Sequence, residues 1–333
     1  MLGKKVGIDL GSASLRMMVK GEGVLTSEPS VIAVRRGDVT ASIIGSSALE
    51  AAQNDEELRL YRPMQSGAVA DPVAMRALMQ HVVTRAVGRQ RIFKPDIVVA
   101  VMSGLPADDR RLLLEAAMIA GARTVYLLDA PIAAALGAGV PLHGANAHLV
   151  IDIGAGKTEV AVLALEGTIA GRCLAGHGGQ RLLACITDHL RTTHGARLAP
   201  AVVEDVIASL ARVGPHEERR MEVPESGLGD DDPALAITST ELAPCLEAHL
   251  RPIVEAVDEV IADTPPPLHE DLRADGGILC GGGSLLEGLD RLLSAQCGIT
   301  MRRDGDPILS VVRGTGYASD NLDVLKRNFM YIR

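Results

Sequence analysis

The sequence of 333 residues contains no tryptophan and only two phenylalanines, and aromatic residues make up 2% of it. Because 47% of the residues are nonetheless hydrophobic, we expect a sizeable core of Leu, Val, Ile, Ala and Met, with room for about two domains. Apolar runs stay at about five to ten residues, short of the roughly twenty that a membrane-spanning helix needs. The start, MLGKKVGIDL, passes into a strand pattern without a signal peptide, so we expect a cytoplasmic protein.

Long tracts of positive charge are also missing. The chain has 33 Lys and Arg against 42 Asp and Glu, a net charge of -9. Contacts to nucleic-acid phosphates need clustered cations, so this balance argues against a nucleic-acid partner. The cysteines are widely spaced without a CxxC motif, which favours reduced, buried thiols over a metal site or a disulfide framework. They are Cys173, Cys185, Cys245, Cys280 and Cys297.

The hydrophobic pattern alternates between short β-branched runs and helical periods, as is typical of α/β units with buried sheets. A helix is predicted over 72–87 with Asp71 as its N-cap, and another over 108–120, capped by Asp108 and ended by Gly121. Strands are predicted at 5–10, 15–20, 31–35, 97–101, 125–129, 148–153 and 157–165. Further elements are a helix at 240–262 and, within 277–293, a strand, a triple-glycine turn and an amphipathic helix.

One charged segment and the histidines are predicted to have no role in binding. Residues 214–233 are charged and rich in Pro and Gly, which favours a solvated loop over a binding site. His177 and the other histidines show no metal-ligand spacing, so they are predicted to be surface or turn residues.

A second half begins near residue 146 and echoes the first. The segment VGIDLGSASLRMMV (6–19) aligns with LVIDIGAGKTEVAV (149–162), and each is a strand ending in Ile-Asp-x-Gly, a tight turn and another strand. Two such hairpins at equivalent places predict a duplicated domain with a cleft between the copies.

The two turns have the composition of phosphate-binding sites. Backbone N–H groups of a Gly- and Ser-containing turn can point at phosphate oxygens, and an Asp ending the preceding strand can hold Mg²⁺ through water. For a single copy, an Asp that merely caps its turn is the favoured interpretation, but the pair and a third glycine turn together favour nucleotide binding. The predicted residues are Asp9, Gly11, Ser12, Ala13, Ser14, Asp152, Gly154, Ala155, Gly156, Gly281, Gly282 and Gly283, with Asp9 and Asp152 as the metal-binding pair.

Seven stretches between about residue 5 and residue 318 are recognisable. They are VGIDLGSASLRMMVKGEGVLTSEPSVIAV (6–34), RPMQSGAVAD (62–71), IFKPDIVVAV (92–101), AGARTVYLLDAPIAAALGAGVP (120–141), LVIDIGAGKTEVAVLAL (149–165), CGGGSLLEGLDRLL (280–293) and DPILSVVRGTGYA (306–318). In them the chain resembles the actin, hexokinase and heat-shock-chaperone ATPase superfamily, and within it the MreB family of bacterial actins that guide cell-wall synthesis.

This resemblance implies an α/β actin-like fold, with two duplicated ribonuclease-H-like domains around an interdomain nucleotide cleft, each carrying a small inserted subdomain. The expected boundaries are 1–145 for the first domain with an insertion at about 35–70, 146–314 for the second with an insertion at about 182–240, and 315–333 for a segment returning to the first.

Departures from the family pattern affect the expected chemistry. Ala130 stands where the family has the second of two glutamates, which positions the attacking water, and Lys157 stands where the phosphate turn has its first Thr. Hydrolysis is therefore expected to be slow or absent. Asp129 could partly substitute, but its side chain should point differently. Lys157 has two interpretations: it holds a γ-phosphate as a fixed cation, or it fills an empty site and pairs with Asp9 or Asp152.

The loop at 88–95 places Ile92 and Phe93 between cations. These two residues could begin the following strand and pack inward, but the resemblance favours their insertion into the inner leaflet of the membrane. Nearby cations would add roughly 1 kcal/mol each at an anionic lipid surface. Those cations are Arg89, Arg91 and Lys94.

The function that the resemblance implies is that of an MreB-like cytoskeletal protein on the cytoplasmic face of the cell membrane. Its expected cofactor is ATP or ADP with Mg²⁺, if the site is not empty. Its expected partners are other copies of itself, the anionic membrane surface, another MreB and cell-wall synthesis proteins. Head-to-tail contacts do not close, so they generate filaments.

Two alternative functions stay open. One is a non-polymerising pseudo-actin that acts as an adaptor for a true MreB. The other is an active ATPase or sugar kinase of the same superfamily, which is disfavoured by the lack of a sugar-binding carboxylate motif and by Ala130 and Lys157.

Overall fold

The structure is a computed structural model that describes residues 3–35, 38–88, 93–165, 167–224, 234–321 and 330–332. At 38–41 and 330–332 it describes the backbone alone.

Strands and helices alternate along the chain. The strands are β1 (Lys5–Leu10), β2 (Ser14–Val19), β3 (Gly23–Pro29), β4 (Ile32–Arg35), β5 (Asp38–Ile44), β6 (Leu58–Tyr61), β7 (Met64–Gln65), β8 (Ala68–Val69), β9 (Asp96–Val101), β10 (Thr124–Asp129), β11 (His148–Ile153), β12 (Lys157–Ala164), β13 (Gly167–Ala175), β14 (Arg220–Pro224), β15 (Ala234–Thr238), β16 (Gly277–Cys280), β17 (Met301–Arg303) and β18 (Met330–Ile332). The α-helices are α1 (Ser46–Asn54), α2 (Pro72–Val87), α3 (Ala107–Ile119), α4 (Ala130–Gly137), α5 (Gly179–His194), α6 (Pro200–Leu210), α7 (Ala243–Asp263), α8 (His269–Asp275), α9 (Leu289–Cys297) and α10 (Ser310–Asp320), and short 3₁₀ helices cover Pro266–Leu268 and Gly282–Leu285.

Two large sheets repeat one topology. The first has the order β18-β10-β9-β1-β2-β3 and the second the order β13-β12-β11-β16-β17. In the first, β1 pairs antiparallel with β2 and parallel with β9, and in the second, β11 pairs antiparallel with β12 and parallel with β16. The hairpins predicted from the sequence are therefore equivalent elements of two copies. Every residue of β9 is buried, as expected for a parallel strand covered on both faces.

Helices α4 and α10 lie between the two sheets. One apolar cluster joins Val98 and Leu128 of the first sheet to Val150 and Ile278 of the second through residues of these helices. The helices cross closely, because a Cβ on Gly137 would collide with the backbone of Ser310. This packing holds the carboxyl ends of β1 and β11 towards one another. Separate clusters fill the outer faces, with α2 and α3 on the first sheet and α7 and α9 on the second.

Smaller units extend each half. In the first, β5, β4 and β6 form a three-stranded sheet, and in the second, β14 and β15 form a hairpin beside α5 and α6. The chain then returns to the first half, since α10 packs on α4 and β1, and β18 pairs antiparallel with β10 at the sheet edge.

Most predicted elements are present, and two predictions are wrong. Asp71 caps α2 as expected, accepting from the N–H groups of Val73 and Ala74 at 2.8 and 2.9 Å. Asp108 does not cap α3, which begins one residue earlier after Pro106. The predicted loop at 214–233 contains β14, because buried Val223 gives this charged segment an inward face. Residues 225–233 of that prediction lie outside the described residues.

Candidate functional site

A cavity of about 180 Å³ lies between the two halves, at the ends of β1 and β11. Of the predicted nucleotide-site residues, all of which the structure describes, only Gly283 does not line it. A Cβ on Gly283 would instead collide with Ile153, so this glycine permits close packing behind the cavity wall. The lining residues include Asp9, Gly11, Ser12, Ala13, Ser14, Ala130, Asp152, Gly154, Ala155, Gly156, Lys157, Gly281 and Gly282.

The two turns share one backbone geometry. The Gly11 N–H donates to the Ser14 carbonyl at 3.0 Å, and the Gly154 N–H donates to the Lys157 carbonyl at 2.9 Å. Each bond closes a tight turn directly after the strand that carries Asp9 or Asp152. Equivalent local sequences have thus folded into equivalent turns that face one another across the cavity.

The turns also touch. A Cβ on Gly156 would collide with the side chain of Ser12, which is buried. Gly156 also lies beside Ser66 of the β7–β8 turn, whose φ of 51° is unusual for a residue other than glycine. The first half therefore contacts the second-half turn at two places.

Asp9 has a cationic partner that the sequence analysis did not identify. Asp9 and Arg16 are paired across the β1–β2 hairpin, and an Arg16 guanidinium nitrogen lies 3.2 Å from the Asp9 carboxylate. Burial raises the pKa of Asp9 to about 6, and the nearby Arg16 charge opposes that rise. Arg16 itself lines the cavity. The hairpin register, readable from the two strands and their turn, is the signal that could have revealed this pair.

Lys157 pairs with Glu159, so the predicted pairing with Asp9 or Asp152 is wrong. Residues two apart on a strand leave from the same face, which brings the Lys157 ammonium to the fully buried Glu159 carboxylate. The other Glu159 oxygen accepts the Ser103 N–H of the first half at 2.7 Å. The Lys157 stem passes close to Gly67, where a Cβ would lie 2.8 Å from Cδ of the lysine.

At the position where the resemblance implies a water-orienting glutamate, the buried Ala130 contributes only a methyl group to the cavity. The carboxylate of neighbouring Asp129 lies 3.7 Å from Arg110. Asp129 itself does not line the cavity. Burial raises the pKa of Asp129, with Arg110 opposing the rise. Asp129 therefore does not bring a carboxylate into the cavity in place of that glutamate.

His177 lies in the turn between β13 and α5, one of its two predicted locations, but it is not at the surface. It is buried and stacks on His249, with ring centroids 5.0 Å apart. Its Nε2–H donates to the His249 carbonyl at 2.6 Å, and its own carbonyl accepts the Thr158 hydroxyl at 2.7 Å. The two histidines are 72 positions apart, so only the packing of α7 beside β12 brings them together. Among the described residues, no group of three His, Cys, Asp or Glu could hold a metal ion.

The predicted membrane loop is only partly described. Ile92, Arg89 and Arg91 lie outside the described residues, whereas Phe93 is 51% exposed. In the described part of the chain, no helix combines the length and apolar character needed to cross a bilayer.

Known proteins resemble this chain over nearly its whole length. A family model described as MreB/Mbl protein matches residues 3–327. The cell shape-determining protein MreB of Escherichia coli (strain K12) is 33% identical over 333 residues, spanning 97% of this chain and 95% of that protein. The cell shape-determining protein Mbl of Bacillus subtilis (strain 168) is 29% identical, spanning 98% of this chain and 99% of that protein.

Solved structures agree with this similarity. MreB5 of Spiroplasma citri bound to ADP superposes with a TM-score of 0.87 at 25% identity, covering 98% of this chain and 99% of that one. The MamK double helical filament gives a TM-score of 0.80 at 20% identity, covering 95% and 98%, a likeness of fold alone. The predicted actin-like fold is confirmed, and the chain belongs to the MreB/Mbl family.

Proposed function

We propose that this chain binds an adenine nucleotide between its halves, self-assembles head to tail, and organises cell shape or cell-wall synthesis from the cytoplasmic face of the membrane. The observation that carries the proposal is the pair of equivalent glycine turns facing one cavity, in a chain that matches its family over residues 3–327. Its relatives are named cell shape-determining proteins. MreB5 of Spiroplasma citri has been solved with ADP and with AMPPNP, and MamK as a double helical filament.

Nucleotide binding would use the backbone of the turns. The N–H groups around Gly11 and Gly154 suit phosphate oxygens, and Gly281 and Gly282 allow close approach of a ligand to the opposite wall. Ligand pockets usually enclose about 300–1,000 Å³. The cavity of about 180 Å³ is smaller, so the two halves would have to open to admit a nucleotide.

The divalent metal implied by the family fits these residues poorly. Mg²⁺ held by carboxylates through water needs those carboxylates to be available. The Asp9 carboxylate already contacts Arg16, and two cationic side chains, Arg16 and Lys157, line the same cavity as Asp152. No part of the proposed function therefore depends on Mg²⁺.

Hydrolysis is proposed to be slow or absent. Ala130 cannot orient a water molecule, and Lys157 is engaged with Glu159 where the family has a threonine. Losing a water-positioning group typically costs several orders of magnitude in phosphoryl-transfer rate. A bound nucleotide would then be a structural ligand, and its hydrolysis would not control how long an assembly persists.

Membrane attachment is proposed to use the edge of the first sheet at which strands β9 and β10 begin. The loop containing Phe93 leads into β9, and the end of α3 leads into β10, where the Arg123 N–H donates to the Pro95 carbonyl at 2.7 Å. Parallel strands begin at the same edge of a sheet. Ile119, the last residue of α3, is 73% exposed, so it adds a second apolar side chain at this edge.

High-speed sedimentation of the purified chain with ATP, with ADP and without nucleotide tests the proposal, with phosphate release followed in the same samples. We expect sedimenting assemblies with little phosphate release. A chain that stays monomeric under all three conditions would contradict self-assembly and favour the adaptor function. Phosphate release at a rate typical of actin homologues would contradict the proposed loss of hydrolysis.

A further inference from the structure

Two positively charged side chains line the cavity where the two glycine turns face one another. Arg16 comes from β2 of the first half and Lys157 from the start of β12 in the second, and both line the cavity. The two cations do not occupy equivalent positions of the two repeats. They also have different partners, since Arg16 contacts Asp9 and Lys157 contacts Glu159. Each half thus contributes one positive charge to the place where its phosphate turn faces the other.

Arg16 is held in place but keeps an unused donor. The antiparallel register fixes it opposite Asp9. Its Nε is buried and has no hydrogen-bond partner among the described residues, although one of its terminal nitrogens contacts Asp9. A guanidinium stays charged at any physiological pH and offers donors in a planar fork that matches phosphate oxygens. A guanidinium held in the cavity wall, with its positive charge beside the two glycine turns, therefore suits an anionic ligand.

The charges of Arg16 and Lys157 reach both carboxylates expected to hold a metal. An Arg16 nitrogen lies 3.2 Å from the Asp9 carboxylate, and both cations line the same cavity as Asp9 and Asp152. Together the two side chains carry the same positive charge as one divalent ion. A metal ion placed between Asp9 and Asp152 would be repelled by both and would have to displace Arg16 from Asp9.

We propose that Arg16 and Lys157 take the place of a divalent metal in this cleft, so that it binds the phosphates of a nucleoside diphosphate or triphosphate without Mg²⁺. Arg16 donates from its guanidinium group to phosphate oxygens, and Lys157 supplies a point charge from the opposite turn. This inference rests on the proposed nucleotide binding and states that such binding does not require a divalent metal.

Equilibrium titration of the full chain with a fluorescent ADP analogue, in excess Mg²⁺ and separately in EDTA, tests the inference. We expect the two dissociation constants to agree within about threefold, because the chain supplies the counter-charge itself. Affinity at least tenfold weaker in EDTA would overturn the inference and leave nucleotide binding intact. Absence of binding in both buffers would overturn the nucleotide-binding proposal and the inference together.

Variants separate Arg16 from general charge effects. Arg16→Leu should weaken binding in EDTA at least tenfold and make it respond to Mg²⁺, since Asp9 is then free. Arg16→Lys keeps the charge but loses the planar fork, so it should retain only part of the affinity. Arg172→Leu is the matched control, because Arg172 of β13 forms ion pairs at the protein surface with Glu259 and Asp263 of α7. Unchanged affinity of Arg16→Leu in EDTA would overturn the role of Arg16. Should that variant fail to fold, the wild-type titrations decide the inference without it.

Discussion

Lys157 illustrates how one residue depends on a buried partner. Its ammonium group neutralises Glu159, which is fully buried and also accepts the Ser103 N–H. Removing one member of a buried ion pair leaves an uncompensated charge and typically costs about 3–5 kcal/mol. We expect Lys157→Thr to lower the free energy of unfolding by an amount in that range, measured by urea denaturation.

A second variant distinguishes loss of the ion pair from loss of the lysine stem. Glu159→Gln combined with Lys157→Thr should recover most of the stability, because Gln keeps an acceptor for Ser103 and has no charge to bury. If the double variant were as unstable as Lys157→Thr alone, packing of the stem beside Gly67 would account for the loss instead.

Two cysteine side chains meet at the contact between α5 and α7. The sulfur atoms of Cys185 and Cys245 lie 2.7 Å apart, and burial together with Cys185 raises the pKa of Cys245 to about 12. Both are free thiols, as the sequence predicts for its cysteines. The oxidant diamide should join them, with the two sulfurs losing two electrons and two protons to its nitrogen–nitrogen double bond.

The disulfide should stabilise the fold by about 2–4 kcal/mol, because it joins residues 60 positions apart. Peptide mass spectrometry after diamide treatment, with Cys185→Ser as the control, checks the linkage. Recovery of both residues as free thiols after prolonged treatment would contradict it.

At the scale of an element, α7 carries a titratable group into the core. Burial, with contributions from His177 and Arg181, lowers the pKa of His249 to about 4, against about 6.5 in an unfolded chain. The unfolded state therefore binds a proton first, and stability present above pH 6.5 is lost as the pH falls towards 4. We expect this residue to account for a loss of about 2–3 kcal/mol over that interval, at about 1.4 kcal/mol for each pH unit.

Unfolding free energies measured from pH 7.5 to pH 4 check this expectation. His249→Phe keeps a ring against His177 but cannot take up a proton, so its stability should fall less over the same interval. His216→Phe changes an exposed histidine and serves as the control. Identical pH profiles for wild type and His249→Phe would contradict the assignment.

The sheet edge at the start of β9 and β10 is the element proposed to contact the membrane. Full burial of one large apolar side chain contributes about 1.5–3 kcal/mol, which is marginal for a monomer. Ile92→Ser with Phe93→Ser should abolish co-sedimentation with anionic liposomes, and Ile119→Ser should weaken it. Leu165→Ser is a matched control, because Leu165 is 69% exposed in the turn between β12 and β13. Unchanged liposome binding of the double variant would refute this contact site.

For the whole molecule, we expect assembly to depend little on nucleotide. The Ser103–Glu159 bond and the contact between Ser12 and Gly156 join the two halves through protein atoms. The proposed loss of hydrolysis would also remove a step that couples filament age to disassembly. Each added subunit raises the effective concentration of the membrane anchors, so short oligomers could hold the membrane without turnover.

Electron microscopy on lipid monolayers with ATP, with ADP and without nucleotide checks this expectation. Filaments or small oligomers should be present in all three conditions. Filaments that form only with ATP would overturn nucleotide-independent assembly, and monomers throughout would favour an adaptor.

The sequence by itself determined the repeat and its turns, because both depend on local rules. Hydrophobic runs, glycine at a fixed distance after Asp9 and Asp152, and the spacing of the hairpins define the two copies without any distant contact. The pairing of Arg16 with Asp9 belongs to the same class, since hairpin register decides it. The replacement at Ala130 is different, because only the resemblance to the family marks that position as altered.

Only the tertiary structure decided which charges and rings are buried together. Glu159 meets Ser103 and His177 meets His249 because the sheets pack around α4 and α10 and α7 covers β12. No local pattern specifies such contacts, since they join residues far apart in sequence. Burial then sets the cost of each charge, because desolvation depends on all atoms around the group. That is why the Glu159 carboxylate is buried against the first half, and why His177 lies inside the protein rather than at its surface.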